Sequence, residues 1–165
     1  MIQLSPASLR NGWLSPILFM VRVKEKLRSS PERIDYDFMN TKYLIDSSAW
    51  IEYYLGENVN LKVLIETEDI ATPVLVIAEL SDKFAREGED FNGFFKFIHS
   101  RAKVIPLDIG VALDSGSFKI QMRKKFKQFG LADALIYLSA EALNAQLVTC
   151  DIHFNKLDGA ILFPR

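Results

Sequence analysis

Apolar residues along this chain change their spacing several times, and each change marks an expected element. From residue 42 onward, short continuous apolar runs alternate with stretches spaced at three and four, as buried strands alternate with amphipathic helices. The first run, Tyr43-Leu44-Ile45, stops at Asp46. A helical pattern follows over 49–55, with Ser47 or Ser48 as its expected N-cap, Gly56 as its stop, and Trp50, Ile51, Tyr54 and Leu55 as a core-facing stripe. A second short helix is expected over 61–66, then a strand at Ile70-Ala71 closed by Pro73, then a helix over 74–86. Residues 91–98 place Phe91, Phe94, Phe95 and Ile98 on one helical face assigned to the core, and 103–107 form a third strand. Asp108 is positioned to cap a long helix reaching about residue 129, with Phe118, Met122, Phe126 and Phe129 as its buried stripe. The stretch from Gly130 to Phe154 then reads as a helix with Asp133 near its start, a turn, and a strand, Leu147-Val148-Thr149-Cys150, that ends at Asp151. Residues 160–163 supply a last short strand.

Strands separated by helices predict an α/β fold, with a central parallel sheet of four to five short strands covered by helices on both faces. At 165 residues the chain is long enough for one domain with a substantial core. Residues 1–38 stand apart. Ser5-Pro6, Asn11-Gly12, Ser15-Pro16 and Ser30-Pro31 break them with turn signals. Their apolar run over 13–23 is interrupted by Ser15, Pro16 and Arg22, and is shorter than the ~20 residues of a membrane helix. It also lacks the small-residue cleavage pattern of a signal peptide. No membrane attachment is therefore expected. Residues 1–38 are assigned to an N-terminal extension, with a natural start at Met39 as the preferred explanation, and 39–165 to the folded domain.

Composition narrows the chemistry. A net charge of -1 gives no global attraction to nucleic acid, so any such affinity has to come from a local patch. One cysteine and two histidines argue against an internal disulfide, a cysteine zinc site or a multi-histidine zinc site. A bound metal would be held by carboxylates, and oxygen ligation favours Mg²⁺ or Mn²⁺.

Four acids recur at corresponding places: Asp46 after the first strand, Glu79 within the helix that follows the second, Asp133 at a helix start, and Asp151 after the fourth strand. Individually, Asp133 and Asp151 have the ordinary readings of a helix N-terminal acid and a turn residue. Glu79, flanked by Ile77, Ala78 and Leu80, is poorly placed unless something pairs with it. Together the four can converge on one sheet edge, where like charges repel and raise one another's pKa. A divalent cation relieves that repulsion and acidifies a water, and a phosphodiester is the matching substrate. Lys119, Arg123 and Lys127 repeat every four residues, with Lys124 and Lys125 beside them. They form either a solvated helix face or a ridge that tracks phosphates; the spacing leaves both open.

The segments LIDSSAWIEYY, VLVIAEL, FGLADALIYLSAEALNAQLVTCD and DIHF resemble the PIN-domain ribonucleases, and among them the chain is most similar to the small VapC-type toxins of toxin–antitoxin pairs. The resemblance runs from about Tyr43 to Phe163 and implies the three-layer PIN fold and a metal-dependent endoribonuclease. Carried over by position, Asp46, Glu79, Asp133 and Asp151 are the catalytic acids holding Mg²⁺ or Mn²⁺. Asp46 and Asp133 would be direct ligands, Asp151 direct or through water, and Glu79 through water or on the attacking water. Thr149 matches the hydroxyl residue two before the last acid, and Ser47 the small polar neighbour of the first. The family also implies RNA as substrate, an antitoxin partner, a homodimer and a cytoplasmic location, while the 38-residue extension departs from its usual start. Two other readings are an RNA maturation or decay nuclease with the same chemistry, and a non-catalytic module that binds RNA or a partner through the basic helix and aromatic faces. A phosphotransfer receiver would need two adjacent acids after the first strand and a late lysine at a strand end, neither of which is evident.

Overall fold

The computed structural model describes residues 41–155 and 157–164, so the expectations for residues 1–38 lie outside it. The chain forms β1 (Tyr43–Ile45), α1 (Ser47–Leu55), α2 (Val59–Thr67), β2 (Ile70–Pro73), α3 (Val74–Glu87) and α4 (Asn92–Arg101). It continues through β3 (Lys103–Ile105), α5 (Ile109–Met122), α6 (Leu131–Leu143), β4 (Gln146–Thr149), a 3₁₀ turn (Ile152–Phe154) and β5 (Ala160–Leu162). The strands lie in the order β3-β2-β1-β4-β5, and every neighbouring pair is parallel. The expected α/β architecture is therefore present, with a five-stranded parallel sheet and six helices among the described residues.

Parallel strands joined by helices bring all the strand C-termini to one edge. After β1 the chain steps outward through β2 to β3, then returns across the sheet to β4 on the other side of β1. The reversal lies between β1 and β4, and a crevice at the C-terminal edge beside such a reversal is where ligands bind in open α/β sheets. Leu44, Ile45, Ala71, Leu147 and Val148 in these central strands are all 0% exposed, as sheets covered on both faces require.

α1 is anchored by Trp50. Its ring is fully buried, and its Nε1 donates to Thr72 Oγ1 (3.1 Å), which in turn donates to the Ile45 carbonyl (3.0 Å). The indole N–H is thus satisfied inside the core through a β2 hydroxyl. Two details of α1 differ from expectation and one agrees. Its N-cap is Asp46, whose side chain accepts from the Ser47 backbone N–H, not Ser47 or Ser48. Tyr54 and Leu55 are 49% and 60% exposed, because the helix turns Ala49, Trp50 and Glu52 inward. Gly56 does end the helix, at φ 77°, a left-handed conformation that favours glycine.

The aromatic residues of α4 lie half-buried against the core through Phe91, Phe94 and Phe97, whereas Phe95, expected on the core face, is not part of that packing. Tyr53 stacks on Phe97 with ring centroids 5.1 Å apart, and Phe84 of α3 lies 5.8 Å from Phe94 and 5.2 Å from Phe91. Trp50 meets Phe94 edge-on at 6.1 Å. Ile98 beneath them is fully buried.

α5 is shorter than expected. It is capped by Asp108, whose carboxylate accepts from Val111 N–H (3.1 Å), but it ends at Met122 rather than near Phe129. After Arg123 the backbone closes into turns, with Lys125 and Phe126 both donating to the Met122 carbonyl, and Arg123 Nε braces the reversal by donating to the Phe129 carbonyl (2.9 Å). Phe129 is still fully buried, but it enters the core from the turn rather than from a helical stripe. The reversal is needed because α6 packs back on α5, with Phe118 stacked on Tyr137 at 5.3 Å. Lys124, Lys125 and Lys127 accordingly leave the helix, and Lys119, Arg123 and Lys127 do not form one helical ridge.

Candidate active site

At the reversal between β1 and β4 the backbone itself draws the two strand ends together, Asp46 N donating to the Val148 carbonyl (3.0 Å). The Asp46 side chain, 4% exposed, is then held by donors from both sides. Its Oδ1 accepts from Ser47 N (2.7 Å) and faces the Ser47 hydroxyl at 3.4 Å; its Oδ2 accepts from Ser48 Oγ (2.6 Å) and Thr149 Oγ1 (2.8 Å). Each of the last two hydroxyls also accepts an amide hydrogen, Ser48 from Cys150 N (2.9 Å) and Thr149 from Asp151 N (3.0 Å). The two oxygens lie 3.0 Å apart. The carboxylate is thus held in one orientation from both sides, by its neighbours Ser47 and Ser48 and by Thr149 at the end of β4.

Asp133 stands in the first turn of α6, where its Oδ2 accepts from Gly130 N (2.6 Å), the helix-capping role weighed from the sequence. Gly130 itself fits closely there, since a Cβ would sit 3.4 Å from Asp133 Oδ2. Burial pushes the Asp133 pKa up; the Gly130 N–H opposes this, Asp151 and Asp46 add to it, and His153 opposes it. Glu79, on α3, is likewise raised first by burial, with a Ser47 hydrogen bond opposing and the charges of Asp46 and Asp133 adding to the rise. Its Oε2 is buried and has no hydrogen-bond partner. The four acids expected from the sequence thus bear on one another at a single edge.

Asp151 follows β4 and caps the 3₁₀ turn. Its Oδ1 accepts from His153 N (2.8 Å), and its Oδ2 lies 3.2 Å from His153 Nδ1. Thr149 is fully buried beneath Asp46, and Ser47 lies between Asp46 and Glu79, so both auxiliary residues join the site.

The donor set suits a hard divalent cation. An orphaned buried carboxylate oxygen on Glu79, with neighbouring acids that hold one another's ionisation back, is what such a cation relieves. Among the described residues no group of three or more His, Cys, Asp or Glu side chains is drawn onto a common point at metal-ligand distance. The reason lies in the hydrogen bonds: Asp46 faces hydroxyls and an amide, Asp133 faces Gly130, and Asp151 faces His153. Mutual electrostatic effect extends further than ligation, so the two observations agree.

Two residues gain roles that the sequence did not assign. Ser48 was weighed only as an N-cap, yet it binds Asp46, Thr149 and Cys150 together; its place two residues after a strand-end aspartate, where a side chain can turn back over the strand, was the available signal. His153 entered only as one of two histidines and as part of the DIHF segment, with no role of its own, and it pairs with Asp151. The proposed phosphate ridge is not gathered at all: Lys124 and Lys127 are exposed in the turn after α5, while Lys119 lies on α5 itself.

Ser48→Ala is expected to free the Cys150 amide and loosen Asp46, lowering activity or metal affinity about 10- to 100-fold, as loss of a residue that orients a ligand typically does. A titration of activity against Mn²⁺ concentration measures this; an unchanged midpoint and rate would show the Ser48 bonds to be incidental.

The fold has counterparts among known proteins. The PIN-domain family model matches residues 43–160. Among solved structures the chain is similar to one from VapBC2 of Rickettsia felis bound to a promoter DNA fragment, at 24% identity and TM-score 0.60, covering 75% of this chain and 98% of that one. A toxin–antitoxin complex from Klebsiella pneumoniae matches at 16% identity and TM-score 0.56, covering 75% and 100%. VapBC-1 from nontypeable Haemophilus influenzae matches at 21% and TM-score 0.53, covering 75% and 98%. At these identities the likeness is one of fold. A search of curated proteins found no match. The family match spans every element from β1 to the first residue of β5 and includes all four acids, and on it this chain belongs to the PIN-domain family.

Proposed function

We propose that this protein is a Mg²⁺- or Mn²⁺-dependent endoribonuclease, acting in the cytoplasm as the toxin of a toxin–antitoxin pair. The observation that carries the chemistry is a buried, unpartnered oxygen on Glu79, beside acids near enough at the β1–β4 reversal for Asp46 and Asp133 to raise its pKa and for Asp151 and Asp46 to raise that of Asp133. A bound divalent cation supplies positive charge for both the acids and the scissile phosphate, and acidifies water. Asp46, held in place by Ser48 and Thr149, and Asp133, fixed at its helix start, are the residues suited to hold the ion directly. Glu79, whose raised pKa favours proton exchange, is suited to orient the attacking water and take its proton. Lys119, Arg123, Lys124 and Lys127 would contact backbone phosphates as separate surface cations rather than as one ridge.

Residues 39–165 would form the nuclease domain and 1–38 an extension ahead of it. Support for the antitoxin partner comes from the toxin–antitoxin complexes among the structural neighbours. A homodimer is supported by the apolar residues that α5 leaves open, Ile109, Leu113 and Ile120, 56%, 71% and 65% exposed at helical spacing. Among the described residues no helix is long and apolar enough to cross a membrane.

The test is cleavage of a structured RNA by the purified full chain. Cleavage with Mg²⁺ or Mn²⁺, arrested by EDTA and restored by added metal, is the expected result. Cleavage indifferent to chelator would contradict the mechanism, and RNA binding without cleavage would make the chain a binding module.

A further inference from the structure

Asp133 is held by a peptide group that is itself held at its other end. The carboxylate Oδ2 accepts from Gly130 N–H (2.6 Å), and a Cβ on Gly130 would lie only 3.4 Å from that oxygen. The carbonyl of the same peptide, that of Phe129, accepts from Arg123 Nε (2.9 Å). A peptide unit is planar, so fixing its carbonyl fixes the direction of its N–H. The Phe129 ring clamps the unit further. It is fully buried, 6.0 Å from the ring of Phe118 and 5.8 Å from that of Phe154, in the turn that Asp151 caps. Arg123 as a whole is exposed, yet its Nε is committed to the chain rather than to solvent.

We propose that Arg123 is a positioning residue for Asp133, aiming and polarising the Phe129–Gly130 peptide so that its N–H holds the carboxylate in one orientation. The contacts run from guanidinium to carbonyl, through the peptide, and from N–H to carboxylate, so one polar group joins a cation to an anion. Each of the two hydrogen bonds has a charged member, and both polarise the peptide in the same sense, so each strengthens the other. Arg123 follows the last residue of α5 and Asp133 stands in the first turn of α6, so the relay also ties the end of one helix to the start of the next. The guanidinium fork leaves the two Nη nitrogens to make a phosphate contact, and the two roles do not compete. That Asp133 holds the cation rests on the metal-dependent reading given above; that its carboxylate is aimed through Arg123 does not.

The experiment compares Arg123→Met with Arg123→Gln in the full chain. Both lose the charge and keep the length of the stem. The glutamine amide nitrogen takes the bonded position of Nε and can still donate, whereas the methionine methyl cannot. By nuclear magnetic resonance of metal-free protein, the Gly130 amide proton, shifted downfield by the carboxylate it faces, is expected to move upfield in Arg123→Met and to stay near its wild-type position in Arg123→Gln. Calorimetric Mn²⁺ affinity, measured without RNA, should fall about tenfold or more in Arg123→Met, as loss of a residue that orients a ligand does, and much less in Arg123→Gln. Variants that behave alike, a Gly130 signal unmoved in Arg123→Met, or Mn²⁺ affinity unchanged there would each overturn the proposal and leave Arg123 a surface cation. If Arg123→Met does not fold, Arg123→Gln decides alone. A wild-type Gly130 shift and Mn²⁺ affinity then support the donor, and loss of both overturns it in favour of the charge. A wild type that binds no Mn²⁺ overturns the metal-dependent reading, while the Gly130 comparison still decides the positioning role.

Discussion

Asp46→Asn is expected to lower RNA cleavage at least about a hundredfold while leaving the fold intact, because the change removes a charge with almost no change of shape. The amide oxygen can still accept from Ser47 N at the Oδ1 position, so the N-cap of α1 survives. The amide nitrogen would face Ser48 and Thr149, whose hydroxyls now point their protons at Oδ2 and can rotate to accept instead. What cannot be replaced is the negative charge at the β1–β4 reversal. Initial rates of cleavage at saturating metal, with a thermal melt recorded on the same preparation, separate the two effects. Near wild-type activity in a folded Asp46→Asn protein would remove Asp46 from the chemistry.

The second large effect is on stability. Trp50→Ala is expected to destabilise the fold by about 3–5 kcal/mol, the usual range for truncating a fully buried large aromatic residue. Trp50 is 0% exposed, meets Tyr53 and Phe94 edge-on at 6.1 Å, and satisfies its indole N–H on Thr72. The cavity would open between α1, α4 and β2, and Thr72 would keep its bond to the Ile45 carbonyl. Trp50→Phe retains most of the volume and should lose less. Urea unfolding followed by circular dichroism measures both, and a loss below about 1 kcal/mol for the alanine variant would mean that this part of the core can collapse onto the space.

Much of this was legible in the sequence because it depends on local pattern. Tyr43-Leu44-Ile45 and Leu147-Val148-Thr149 are short apolar runs that end at aspartates, and in a parallel sheet such ends share one edge. Glu79 stood out because an apolar helix segment is a poor place for a carboxylate, and its buried oxygen is indeed unpartnered. The end of α5 was not legible: Phe118, Met122, Phe126 and Phe129 keep helical spacing, with no proline or glycine between Phe118 and Gly130 to mark the stop. The helix ends because α6 must return along it, a tertiary requirement. The exposure of Tyr54 and Leu55 was hidden for a similar reason, since the stripe that α1 buries is set by Trp50 and by its neighbours α4 and β2. Ser48 and His153 were missed because their partners are either distant in the chain, at Thr149 and Cys150, or too near to suggest anything beyond a turn, at Asp151.

The central claim is that the four carboxylates at the β1–β4 reversal form one divalent-cation site. Titration of Mn²⁺ into the metal-free full chain by calorimetry addresses it directly, with Asp46→Asn and Asp133→Asn run alongside. Saturable binding in the wild type, strongly weakened in each variant, is the result expected. Absence of saturable binding in the wild type, or affinity undiminished in both variants, would contradict the claim.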